Sequence, residues 1–179
     1  EHGIAVIEGL RGAQVGAAVK HYPGLGAVSG NTDFTTEGIL DTTTTLDGGE
    51  AGAFDQAITK ADPAMVMMSL ATYQSIDPNN PAVFSSTIID GHIRNALKYT
   101  GVVISDSISA EALNSYDVSQ LGVKLVEAGG DMSCIGQTDY VKPVVDGLNE
   151  RAKSDSAFAS KVTAAATRVM TLKIKMGLA

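Results

Sequence analysis

The chain has a single cysteine, Cys134, so no disulfide can form within it. That is compatible with a reducing cytosol and also with a secreted bacterial enzyme. No run approaches roughly 18 apolar residues, so no segment reads as a membrane span. Basic residues are in short supply: 13 Lys and Arg stand against 20 Asp and Glu, for a net charge of −7. Without a basic patch, nucleic acid is not an expected partner. The acidic balance favours solubility and says little about substrate. There is no internal repeat, and no low-complexity stretch beyond Thr42 to Thr45. No signal peptide is visible. Because the chain opens on Glu1 rather than Met, a true start and any targeting signal are left to lie upstream.

What is present is an ordinary globular composition, 44% hydrophobic and 18% charged over 179 residues, enough for one domain with a substantial core. Short apolar runs recur at Gly16 to Tyr22, Ala64 to Leu70, Gly101 to Ser105 and, more weakly, Asp131 to Ile135. Each is too short for a typical helix and is bounded by Gly, Pro or polar residues. Such runs predict strands buried on both faces, as in parallel sheets.

Helical periodicity fills the intervals. Ile4, Ile7 and Leu10 mark a first helix, and Phe54 and Ile58 share a face of the next. Ile89, Ile93, Ala96 and Leu97 mark a third, with Thr87 and Asp90 in capping-box spacing before it and Gly101 after it. Val118, Leu121 and Leu125 continue the series. Val141, Val144, Val145 and Leu148 predict another helix with Pro143 in its first turn, where proline is tolerated. Phe158, Val162, Ala165, Val169, Leu172 and Met176 step by four and three to Gly177, the clearest helix of all. Alternating strands and helices imply right-handed βαβ units and a parallel sheet. About four units are countable, and a complete eightfold barrel takes about 250 residues, so the expected fold class is α/β, half of a (β/α)8 barrel or a small open sheet. The stretch from Leu25 to Gly52 has no clear periodicity, and loops of such length tend to be functional or disordered.

Candidate chemistry lies where strands end, because loops converge at the C-terminal ends of parallel strands. Lys20 and His21 close the first strand and Asp106 the third. From the pattern alone, Asp106 could equally cap a following helix, His21 could be a hydrogen-bonded core residue, and Asp131 and Met132 could be structural. Lys20 is harder to set aside, since a buried lysine needs a partner. Cys134 reads as a small buried hydrophobe.

Several segments resemble family 3 glycoside hydrolases, particularly their β-N-acetylglucosaminidase branch. Lys20-His21-Tyr22-Pro23-Gly24-Leu25-Gly26 is similar to that family's KHFPGHG, and Gly101-Val102-Val103-Ile104-Ser105-Asp106-Ser107 to its GVVISDDL, whose first Asp is the nucleophile. Met67-Met68-Ser69, Ile76-Asp77-Pro78 and Pro81-Ala82-Val83-Phe84-Ser85 resemble its VMTAH, IDP and PASLS stretches. Ala128-Gly129-Gly130-Asp131-Met132 resembles AGADM. Arg168-Val169, Leu172-Lys173 and Gly177-Leu178 resemble the close of single-domain members. The motifs run in the family's order over nearly the whole chain.

The resemblance implies that residues 1–179 are the C-terminal half of a catalytic barrel, about four βα units, without the N-terminal half that carries the family's sugar-binding Arg and Asp. It implies a retaining exo-β-N-acetylhexosaminidase or related β-glycosidase in the parent protein, with a carbohydrate substrate and no cofactor or metal. By the same resemblance, Asp106 is the nucleophile, and Lys20 and His21 bind sugar hydroxyls. The branch's general acid, a His in Asp-Ser-His, falls on Asn31-Thr32-Asp33. Either Asp33 has become the acid/base, or acid catalysis is lost and the chain is a non-catalytic sugar-binding or structural half-barrel. Leu25 and Leu70 also stand where family members often carry histidines. A half-barrel leaves strand edges and one apolar face uncovered, so the expected macromolecular partner is the missing N-terminal half or a second copy of the chain.

Overall fold

The computed structural model describes residues 1–179. After helix α1 (His2–Gly12), four strands form one parallel sheet: β1 (Ala18–Tyr22), β3 (Met65–Met68), β6 (Val102–Ser107) and β7 (Met132–Cys134). They lie in the order β1-β3-β6-β7, each beside its predecessor. Helix α2 (Gly49–Ala61), a π-helix (Thr87–Ala96) and α3 (Val118–Glu127) make the crossovers, and α4 (Val141–Ser154) and α5 (Ser156–Lys175) follow β7. This is the repeating βα arrangement of a partial barrel. A second, minor sheet joins β2 (Leu40–Asp41), β4 (Thr72–Tyr73) and β5 (Asp77–Pro81). It ties the far end of the long 25–52 segment to the loop after β3.

Strand burial differs from the two-sided burial expected of the apolar runs. In β3, Val66 and Met68 are buried while Met65 and Met67 are only half-buried. The register pairs Ala18 with Met65, Met67 with Ile104 and Ile104 with Met132. Alternate residues of a strand share a face, so these side chains line one incompletely covered face. The opposite face carries Tyr22, Val66, Met68 and Val103 into the main core, together with Ile58, Ile88, Ile89, Ile93, Leu121 and Leu125 from the helices.

One helix start differs from its predicted form. The Thr87–Asp90 capping box does not form. Instead Ser85 Oγ accepts the Ile88 N–H at 3.3 Å and donates to Asp77 at 2.7 Å. The segment is wound with bonds to the fifth residue back, from Gly91 N–H to the Ser86 carbonyl and from Leu97 N–H to the His92 carbonyl. Ile88, Ile89 and Ile93 are buried along it. Helix α5 starts on Asp155, whose carboxylate accepts the N–H groups of Ala157 and Phe158.

Asp131 turns out to be structural. Its side chain has no exposure and lies between Arg94 and Arg168, the latter at 2.9 Å, while accepting the Val103 N–H at 2.8 Å. Arg94 also donates to the Tyr99 and Gly101 carbonyls. One carboxylate therefore clamps the π-helix, the start of β6 and α5. Burial pulls the Arg94 guanidinium below its ordinary value, Asp131 opposes that, and Arg168 adds to it.

Candidate active site at the ends of β1 and β6

Asp106 sits near the end of β6, two residues after Ile104, within the irregularity of the β6–β7 pairing, and is half-buried. It does not cap a helix. One carboxylate oxygen accepts the N–H of its neighbour Ser107 at 2.8 Å, and α3 is capped by Asp117. The other oxygen lies 3.3 Å from His21 Nε2, with side-chain exposures of 22% and 25%. His21 is thus neither a core residue nor free in solvent. Burial lowers its pKa below the ordinary 6.5, against the raising effect of Asp106; Lys20 lowers it further and Asp33 raises it. With its pKa below the ordinary 6.5, His21 is an uncharged imidazole at neutral pH, standing against the Asp106 carboxylate.

Lys20 is exposed, in contrast to the buried lysine expected at the end of β1. Its ammonium is close enough to act on His21 and stands in water, a disposition that suits binding of a hydroxyl-rich ligand. The Pro23-Gly24-Leu25-Gly26 turn follows at once. Gly24 has φ +140°, and a Cβ there would meet the Glu50 carboxylate at 2.5 Å. The turn is pinned from inside by the Tyr73 hydroxyl, which donates to the Gly24 carbonyl at 2.6 Å. Leu25 and Leu70 both join the apolar core, so neither position offers a polar group.

Asp33 is held in a local turn. Asn31 Oδ1 accepts its N–H at 2.9 Å, and Thr35 Oγ1 donates to the Asn31 carbonyl at 2.8 Å. Thr32 is buried, and its carbonyl accepts the Ala112 N–H at 3.1 Å. The loop is therefore docked on the segment after β6, and Asp33 is near enough to His21 to influence its proton affinity. No hydrogen bond or ion pair joins Asp33 to Asp106. The structure brings His21 and Asp106 into contact, sets Lys20 beside them, and leaves Asp33 exposed at the margin.

Cys134 is half-buried rather than buried. Its N–H donates to Ser105 Oγ at 2.9 Å, and Ser109 Oγ accepts the Gly136 N–H at 3.1 Å. Ser105 and Ser109 thus stitch the end of β6 to the loop after β7. The larger recesses lie elsewhere. One of ≈ 300 Å³ is at the opposite, N-terminal ends of β1 and β3, between Arg11, Asp62 and Lys175; one of ≈ 360 Å³ is within the 27–43 loop. Asp106 lies outside both. No group of three or more His, Cys, Asp or Glu is placed to hold a metal ion.

The family model of the glycosyl hydrolase family 3 N terminal domain matches residues 1–172. The chain belongs to glycosyl hydrolase family 3. Among relatives of this family 3 chain, the β-hexosaminidase LpqI of Mycobacterium tuberculosis is 30% identical over 178 residues, covering 94% of the chain and 45% of that protein. A secreted glycosyl hydrolase of Arthroderma benhamiae, itself uncharacterized, is 34% identical over 123 residues, 65% of the chain and 33% of that protein. In three dimensions the family 3 chain is similar to the β-N-acetylhexosaminidase of Beutenbergia cavernae, with a TM-score of 0.89 and 36% identity over 96% of the chain and 51% of that structure. The chain spans about half, or less, of the length of these relatives. Family membership and the partial-barrel fold agree with the resemblance carried by the motifs.

Proposed function

We propose that the protein to which this chain contributes is a retaining β-glycosidase, an exo-β-N-acetylhexosaminidase or a close variant. The observation that carries the reading is the Asp106 carboxylate at the end of β6, 3.3 Å from an imidazole and partly open to solvent. In this reading Asp106 attacks the anomeric carbon of a β-glycoside. The aglycone oxygen leaves with a proton from the general acid, giving a glycosyl-enzyme that water then hydrolyses. A neutral His21 suits the task, because it lies against the nucleophile without placing a positive charge on it. Lys20 and His21 also reach sugar hydroxyls, and such contacts accelerate the reaction to the extent that they tighten as the ring flattens. Asp33 is proposed as the acid/base, carried by a loop docked beside the pair.

The incompletely covered face, with Ala18, Met65, Met67, Ile104 and Met132, supports a partner that completes the barrel: a further portion of the same protein or a second copy of the chain. That partner would supply the remaining sugar contacts. A second reading, a sugar-binding or structural half-barrel without turnover, is favoured by one observation: Asp33 stands where the branch carries its histidine.

A screen of the intact protein on chromogenic β-glycosides separates the two. Hydrolysis that Asp106→Asn abolishes, with a mechanism-based fluorosugar labelling Asp106, supports the enzyme. Sugar binding without turnover supports the alternative, and undiminished hydrolysis by Asp106→Asn removes Asp106 from the role.

A further inference from the structure

We propose that Tyr22 and Asp55 are positioning residues for His21, tethering the end of β1 from behind the sheet so that the imidazole stays against Asp106. This rests on the reading of His21 and Asp106 as the working pair.

Strand β1 pairs with β3 through Ala18, Val19 and Tyr22, with a register shift between Val19 and Tyr22. Lys20 and His21 fall within that irregularity, where a strand can re-aim a side chain at the cost of its own pairing. His21 has no partner of its own in the ladder; its carbonyl accepts the Gly24 N–H at 2.9 Å, and the nearest fixed point in the ladder is Tyr22. Tyr22 is fully buried, and its carbonyl accepts the Ser69 N–H at 2.9 Å. On the helical side its hydroxyl donates to Asp55 Oδ1 at 2.9 Å. The second oxygen of Asp55 is 2.8 Å from His92 Nε2.

Two elements thus grip one phenol. Asp55 comes from α2 and His92 from the π-helix, each with 19% side-chain exposure. Phe54 packs edge-on against the Tyr22 ring at 5.6 Å between centroids, and His92 stacks on it at 6.4 Å. Burial, then the charge of Asp55 and its bond, push the phenol well above its ordinary pKa, so it serves as a permanent donor. The related motif has Phe at this position, so ring packing alone needs no hydroxyl. The hydroxyl, Asp55 and His92 form a polar attachment at the edge of the apolar core, in which the phenol hydroxyl and both carboxylate oxygens have partners.

The test reads the His21–Asp106 interaction rather than stability. In the intact protein, the His21 ring signal is identified by its loss in His21→Gln, and its titration midpoint is followed by NMR with and without Asp106→Asn. Asp106 raises the affinity of His21 for a proton, so Asp106→Asn lowers the midpoint. The same substitution made on Tyr22→Phe and on Asp55→Ala should lower it by about half as much or less, as the inverse distance dependence gives when a 3.3 Å separation doubles. A merely stabilising tether would leave that shift intact. An undiminished shift in both backgrounds overturns the proposal, and if Asp55→Ala does not fold, Tyr22→Phe alone decides. The glycosidase reading fails separately: a protein that hydrolyses nothing can still show the reduced shift, and one that hydrolyses normally with an undiminished shift sinks only the tether.

Discussion

Replacing Asp131 with Asn should destabilise the protein by about 3 kcal/mol or more. The carboxylate has no exposure and is the shared partner of Arg94 and Arg168, with exposures of 12% and 30%. Removing one member of a buried ion pair costs roughly 3–5 kcal/mol, because the opposite charge is left uncompensated. Here two guanidiniums are left facing each other. The partial exposure of Arg168 lets water answer some of its charge, which puts the expected loss towards the lower end of that range. The amide could still accept the Val103 N–H, so the loss reports the charges rather than the backbone bond. Urea unfolding of the intact protein, followed by far-UV circular dichroism, measures the midpoint and slope. The structure also ranks the partners. Arg94→Met should cost more than Arg168→Met, because Arg94 is the more buried and alone holds the Tyr99 and Gly101 carbonyls. A loss below about 1 kcal/mol for Asp131→Asn, in the range of an exposed ion pair, would refute the clamp. So would a reversed order of the two arginines.

Gly147→Ala should cost about 1–3 kcal/mol in the same unfolding measurement, the range for overpacking, since its Cβ would stand 1.9 Å from the Ser119 carbonyl oxygen where α4 meets α3. If Asp33 is the acid/base, Asp33→Ala should slow glycosides with poor leaving groups far more than activated aryl glycosides, and azide should rescue the second step; equal losses on both would leave Asp33 only a shape role. His21 should make the protein less stable towards acid. Its native pKa is lowered from 6.5, so the unfolded chain takes up a proton first, and stability falls as pH drops from the unfolded value through the native one. Urea midpoints measured across that interval should show a shallower fall in His21→Gln, and an unchanged slope would count against this origin.

The strand positions were legible because the runs around Val66 and Val103 are apolar and short, and α5 because its stripe holds one period for five turns. The π-helix was not, since Ile89, Ile93 and Leu97 fit an α-helix and nothing in the residues announces bonds to the fifth residue back. Asp106 and His21 stood out at strand ends and by family resemblance, but their contact spans 85 positions and nothing in the residues announces it. The pattern left Asp131 undecided, because its partners are 37 residues away on either side. Asp55 and His92 were invisible for the same reason: each looks like a surface residue of a helix until β1 is laid beside it. The one hint was Tyr22 in place of the motif's Phe. Lys20 misled because the C-terminal end of a strand was equated with burial, whereas this face of the sheet is only partly covered.

Because β1, β3, β6 and β7 lie side by side in the order of the chain, the sheet can be laid down as the polypeptide emerges from the ribosome. Each new strand finds its neighbour already made, and no later segment must be threaded between earlier ones. His21 and Asp106 face each other across β3, so the pair comes together once residues up to the end of β6 have been synthesised. The Asp131 clamp arrives later, and Arg168 later still, when α5 is complete. During translation the site therefore precedes the lock that stabilises it, and a pause or a break after β6 would leave the His21–Asp106 pair assembled on a sheet that the Asp131 clamp does not yet secure.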